Sequence, residues 1–120
     1  MTREEHYKRL KNLGIRIIKM TDSLPRTVGA WAISKQIVRS GTSPAANYRA
    51  ACRAKSDKDF LNKLKMVEEE LDETSYWLEM IVDAELLPEE RLSDLRKECD
   101  ELLRITISSI ITIRKKLSEA

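Results

Sequence analysis

The stretch Ile105-Thr106-Ile107-Ser108-Ser109-Ile110-Ile111-Thr112-Ile113 decides the fold, because its β-branched composition suits a strand while its surroundings do not. Leu92, Leu95, Cys99 and Leu102 lead into it, and Thr106, Ile110, Ile113 and Leu117 carry the same steps of three and four through it and beyond. That pattern is too long for a strand. It ends in Arg114-Lys115-Lys116, cations that suit the negative end of a helix. The segment is therefore expected to be helical. Ile105, Ile107 and Ile111 fall off its main seam, so apolar surface wraps much of this helix and invites a partner chain.

Working outward, Leu86-Leu87-Pro88-Glu89-Glu90 reads as a tight connection with Pro88 in the first turn of that last helix. The preceding segment opens at Ser56, a helix cap, and carries Leu61, Leu64, Val67, Leu71, Thr74, Leu78 and Ile81 as a regular stripe, with Trp77, Met80 and Ala84 beside it. Helical to Glu85, it would be about 43 Å long at about 1.5 Å per residue. Before it lies a segment from about Val28 to Lys55, interrupted at Ser40-Gly41-Thr42-Ser43-Pro44. Glycine and proline inside a helix cost about 1 and about 3 kcal/mol relative to alanine, which predicts a kink at Gly41, Ser43 and Pro44, or a restart capped by Ser43. The first segment places Leu10, Leu13, Ile17, Met20 and Leu24 on one face until Pro25 stops it, with Ile15 and Ile18 widening the apolar surface. Four long amphipathic segments with short connections predict an all-α fold, an antiparallel up-and-down four-helix bundle in a single domain spanning residues 1–120.

Charge divides the chain. Residues 1–56 carry 12 Lys and Arg against 3 Asp and Glu, a balance of +9, whereas residues 57–120 carry 10 against 17, a balance of −7. The net +2 conceals both. The basic half is free to pack on the acidic half, within one molecule or between copies, or to remain available to nucleic acid. Arg3, Lys8, Arg9, Lys11, Arg16 and Lys19 have only Glu4, Glu5 and Asp22 near them in sequence, which makes them the better nucleic-acid-binding set. Arg39, Arg49, Arg53 and Lys55, with Asn47 and Tyr48 interleaved, offer a second phosphate surface; the favoured reading pairs these arginines with carboxylates such as Glu68, Glu69, Glu70 and Glu73 across a helix or subunit boundary. Arg49, Arg53, Glu69, Glu73, Trp77, Ile105, Ile107 and Ile111 accordingly form the expected oligomer interface, with Trp77 and Tyr76 assigned to packing rather than to base stacking.

Nothing in the chain announces catalysis. The one histidine, His6, falls where the first helix is expected to fray, so two Glu-x-x-His motifs for a di-iron bundle are absent and no metal site is expected. Glu69, Asp72, Glu73, Glu79 and Asp83 read as a solvated, ion-pairing face, and Ser40, Thr42 and Ser43 have neither a neighbouring base nor a Gly-rich phosphate loop. Cys52 and Cys99 lack Cys-x-x-Cys spacing and read as free, buried thiols. No cofactor and no small-molecule substrate are expected. Without a secretory leader or an apolar run near about 18 residues, the expected location is the cytoplasm, with no membrane contact.

The string from Ser34 to Ser56, Ser-Lys-Gln-Ile-Val-Arg-Ser-Gly-Thr-Ser-Pro-Ala-Ala-Asn-Tyr-Arg-Ala-Ala-Cys-Arg-Ala-Lys-Ser, resembles the signature of a bacterial four-helix-bundle family named for intervening sequences in 23S ribosomal RNA genes. Asp59-Phe60, Glu68-Glu69-Glu70 and the run from Asp72 to Glu79 are similar as well, so that the resemblance extends from about Ile17 to the end. It implies a homopentamer of four-helix bundles. Some relatives are encoded inside ribosomal RNA gene insertions, and similar proteins serve as accessory subunits of retroelement reverse transcriptases. RNA or a reverse transcriptase, besides further copies of the chain, are therefore the partners the resemblance implies.

Overall fold

The computed structural model describes residues 1–119, which form four helices: α1 (Arg3–Thr21), α2 (Val28–Cys52), α3 (Asp57–Asp83) and α4 (Glu89–Ser118). They pack as an elongated bundle of 52 × 21 × 21 Å, with α1 against α2, α2 against α3, α3 against α4, and α4 closing more loosely on α1. Each neighbouring pair is antiparallel. His6 meets Tyr48 while Gly14 meets Gly41, and Cys99 meets Leu71 while Lys116 meets Asp57, so numbers rise on one helix as they fall on the next.

Local chemistry explains where the helices begin. Thr2 caps α1 and completes a reciprocal capping box with Glu5; Thr27 caps α2 through the Ala30 amide, and Ser56 caps α3 through the Asp59 amide. Pro88 stands at the cap of α4 itself, just ahead of the helical first turn in which the sequence pattern places it. α3 ends in a Schellman-type closure: Leu86 N–H reaches Ile81 O at 2.9 Å and Glu85 N–H reaches Val82 O at 3.0 Å, with Glu85 at φ 57°.

The predicted stripes supply most of the core, with Met20, Leu61 and Leu117 only half-buried against it. Leu10, Leu13 and Ile17 of α1, Leu64, Val67, Leu71, Thr74, Leu78 and Ile81 of α3, and Leu92, Leu95, Cys99, Leu102, Thr106, Ile110 and Ile113 of α4 are all buried. The strand-like isoleucine run is helical throughout because its buried positions recur at the helical period.

The restart at Ser43 does not occur, since α2 is one helix from Val28 to Cys52 with Pro44 inside it. Pro44 removes the amide that would bond Ser40 O, and the hydroxyls just before it bond back to carbonyls of the preceding turn: Thr42 donates to Val38 O at 2.7 Å and Ser43 to Arg39 O at 2.7 Å. Gly41 has a further use that its helix-breaking chemistry conceals. A Cβ on Gly41 would lie 2.5 Å from Ile17 Cδ1, and one on Gly14 would lie 3.1 Å from the Gly41 carbonyl oxygen. α1 and α2 therefore approach at a pair of glycines, and Gly41 serves packing as much as backbone geometry.

Two further readings change in three dimensions. Cys52 is exposed rather than buried, because it falls on the outward side of the last turn of α2 while Tyr48 and Ala51 take the inward one; Cys99 is buried and its Sγ donates to Leu71 O at 3.5 Å. Burial, reinforced by the nearby carboxylates Asp100, Asp72 and Glu98, pushes the Cys99 thiol up to about 12, so it behaves as a small core residue. His6, expected at a frayed terminus, is 4% exposed, held by the capped first turn and packed on Tyr48 with ring centroids 4.3 Å apart.

Candidate nucleic-acid interface

The α1 cations separate into three groups once their neighbours are known. Arg9 leaves the free set: its guanidinium donates to Glu98 at 2.6 and 3.0 Å and lies 3.3 Å from Glu101. The hydrogen bonds to Glu98 raise its pKa and make this forked pair the clasp between α1 and α4. Lys8 pairs with Glu4 one turn back at 3.1 Å, both well exposed, and Arg3 lies over the Phe60 ring at 4.4 Å. Lys11, Arg16 and Lys19 form no ion pair among the described residues.

Arg16 and Lys19 gain a companion that no motif revealed. Arg91 comes up from the first turn of α4, where its guanidinium donates to Ser23 Oγ at 3.0 Å. Together with Met20, Ser23, Leu87, Leu92 and Leu95 these three cations line a hollow of about 330 Å³ whose lining contains no carboxylate. The signal for Arg91 was available in the topology: an antiparallel α1–α4 pair must bring the start of α4 beside the last turns of α1. Three cations converging on one concave surface, two of them arginines, suit phosphate oxygens.

The second basic set behaves differently. Arg39 is neutralised across the α2–α3 seam, donating to Glu70 at 3.1 and 3.2 Å and to Glu73 as well. The bond to Glu73, followed by that to Glu70, raises its pKa. This is the cross-helix pairing expected for these arginines, made within one chain. Arg49 and Arg53 are exposed and join no ion pair among the described residues, nor does Glu69. Trp77 is half-buried against the core with Tyr76 edge-on to it at 5.0 Å, while Tyr76 itself is 51% exposed and packs less than expected. On α4, Ile105 and Ile107 are half-buried and Ile111 is 61% exposed. A single chain thus leaves part of its off-seam isoleucine surface in water.

The family model for the 23S rRNA-intervening sequence protein matches residues 3–108. The chain belongs to that family. Among solved structures, a protein of unknown function from the S23 ribosomal protein family of Bacteroides thetaiotaomicron superposes with a TM-score of 0.82 at 34% sequence identity, covering 88% of this chain and 97% of that one. Comparison with curated proteins returns no match. This member of the 23S rRNA-intervening sequence protein family has no helix long and apolar enough to cross a membrane among its described residues.

Proposed function

We propose that this chain is a non-enzymatic, homo-oligomeric helical bundle whose residual basic surface binds the phosphate backbone of RNA. The observation that carries the reading is the hollow where Arg16, Lys19 and Arg91 converge without a carboxylate in the lining. Lys11, exposed and unpaired among the described residues, extends the same charge along α1. Self-association is supported by large apolar side chains left in solvent, with Val28 86%, Trp31 64% and Ile111 61% exposed. A pentamer is the assembly the family resemblance implies.

The test is a fluorescence-anisotropy titration with short single-stranded RNA over a salt series, on protein whose molar mass has been measured by light scattering. The logarithm of the binding constant should fall linearly with log salt, and Arg16→Ala, Lys19→Ala and Arg91→Ala combined should reduce that slope by about 2 to 3. Arg39→Ala, which removes an already neutralised cation, should leave it unchanged. Absence of binding at about 50 mM salt rejects the RNA reading. A monomeric mass at micromolar concentration rejects the assembly.

A further inference from the structure

The two helices that close the bundle differ in length, and the difference leaves a notch. α1 has 19 residues and α4 has 30, so at about 1.5 Å per residue they run about 28 and about 45 Å. The Arg9 clasp sets their register opposite Glu98 and Glu101. Counting antiparallel from it, the start of α1 lies abreast of the region around Ile105, and α4 then continues to Ser118 with no α1 beside it. Along this stretch opens a cavity of about 580 Å³. Its walls are Ile105, Ser109, Thr112 and Ile113 of α4, and Phe60 and Tyr48 line it from α3 and α2.

The lining has a definite chemistry. Ser109 and Thr112 spend their hydroxyl protons on backbone oxygens of Ile105 and Ser108, which leaves small side chains that let another backbone come close. Arg3, Arg104 and Lys116 supply positive charge, while the one carboxylate in the lining, Glu101, is already engaged by Arg9. Lys116 is partnered by Asp57, and Arg104 has no ion-pair partner among the described residues. No aromatic face stands open for a base, because Arg3 covers Phe60 and Tyr48 is 3% exposed. Aliphatic and small residues at helical spacing beside the unpaired Arg104, with Arg3 next to it, are what an amphipathic helix with acidic flanks requires.

We propose that this notch receives an acidic amphipathic helix from a protein partner, of about three turns, which takes up the bundle position α1 vacates beside the C-terminal half of α4. The site lies at the opposite end of the α1–α4 seam from the Arg16–Lys19–Arg91 hollow, so it stands or falls separately from RNA binding.

The experiment uses the full chain and three synthetic, fluorescein-labelled peptides of about 14 residues: one with leucines at i, i+3, i+4 and i+7 flanked by glutamates, one with lysines replacing the glutamates, and one with the acidic sequence scrambled. The acidic patterned peptide should saturate by anisotropy, at least tenfold tighter than either control. Arg104→Glu and, separately, Ser109→Trp, which fills the notch, should each weaken it at least tenfold; Arg104 is exposed and unpaired among the described residues, so that variant keeps the fold if the tryptophan does not. Equal binding of the three peptides, or indifference to Arg104→Glu, overturns the proposal. So does a drop in molar mass on Arg104→Glu, which would make a second copy of the chain the occupant, or a loss of RNA affinity in that variant, which would make it nucleic acid.

Discussion

The α2–α3 seam is shut and the α1–α4 seam is not. On the first, Arg39 is held by Glu70 and Glu73, the Ser40 and Thr74 hydroxyls meet at 3.0 Å in the interior, and Ile37 is fully buried. On the second, the Arg9 clasp sits between two hollows, one rimmed by Arg16, Lys19 and Arg91 and the other running along Ile105 to Lys116. Both seams join antiparallel helices. They differ because α2 and α3 are nearly equal in length, with 25 and 27 residues, whereas α1 falls well short of α4. A helix end that stops short leaves surface uncovered, and that is where the notch lies; the Arg16–Lys19–Arg91 hollow opens at the other end, where α1 and α4 finish level.

The largest expected effect tests the contrast directly. Ile37→Ala on the shut seam should cost about 2–5 kcal/mol in urea unfolding, the range for emptying a packed core position, while Ile105→Ala beside the notch should cost about 1 kcal/mol or less. Equal losses would mean that the α1–α4 seam is as tightly packed as the other.

Gly41→Ala comes next. The added methyl meets Ile17 Cδ1, and overpacking of this kind typically costs about 1–3 kcal/mol, offset by the roughly 1 kcal/mol that alanine gains over glycine in a helix. A net destabilisation of up to about 2 kcal/mol is expected, partly rescued by Ile17→Val, which removes the obstructing atom. A more stable Gly41→Ala protein would show that the α1–α2 approach has room to spare.

The smallest effect belongs to His6 at the foot of the open seam. Burial, and then the charge of Arg9, lowers its pKa below the ordinary value of 6.5, and its Nε2 is sealed without a hydrogen-bond partner. In the unfolded chain the imidazole takes up a proton near its ordinary value; in the folded chain it resists until a lower pH. Stability should therefore be insensitive to His6 well above pH 6.5 and fall as pH drops from there toward the folded value, the direction in which the unfolded state binds more protons. Urea midpoints at about pH 7.5 and 5.5 should differ more for the native chain than for His6→Phe, and parallel pH profiles would refute this.

Much of the site was visible before the fold, though not its selection. The charge of Arg9 and of Arg16 looks the same along the chain, since both sit on a basic helix with few acids nearby in sequence. Their fates diverge because α4 presents Glu98 and Glu101 to one and Arg91 to the other. Gly41 was legible as a helix breaker, but its contact with Ile17 depends on the distance between two helix axes, which no local pattern encodes. Tyr76 and Cys52 were assigned to packing by residue type, and their exposure follows from which face each helix turns outward.

By itself, the amino-acid order determined the four helices, the residues that line their common core and the caps that start three of them, because apolar periodicity and capping are short-range properties. Only the tertiary structure decided which cations are cancelled and which remain, that His6 is sealed inside, and that α4 outruns α1 to leave a notch. Those outcomes depend on register between segments as much as 89 residues apart, where electrostatic pairing and packing act across space and not along the chain.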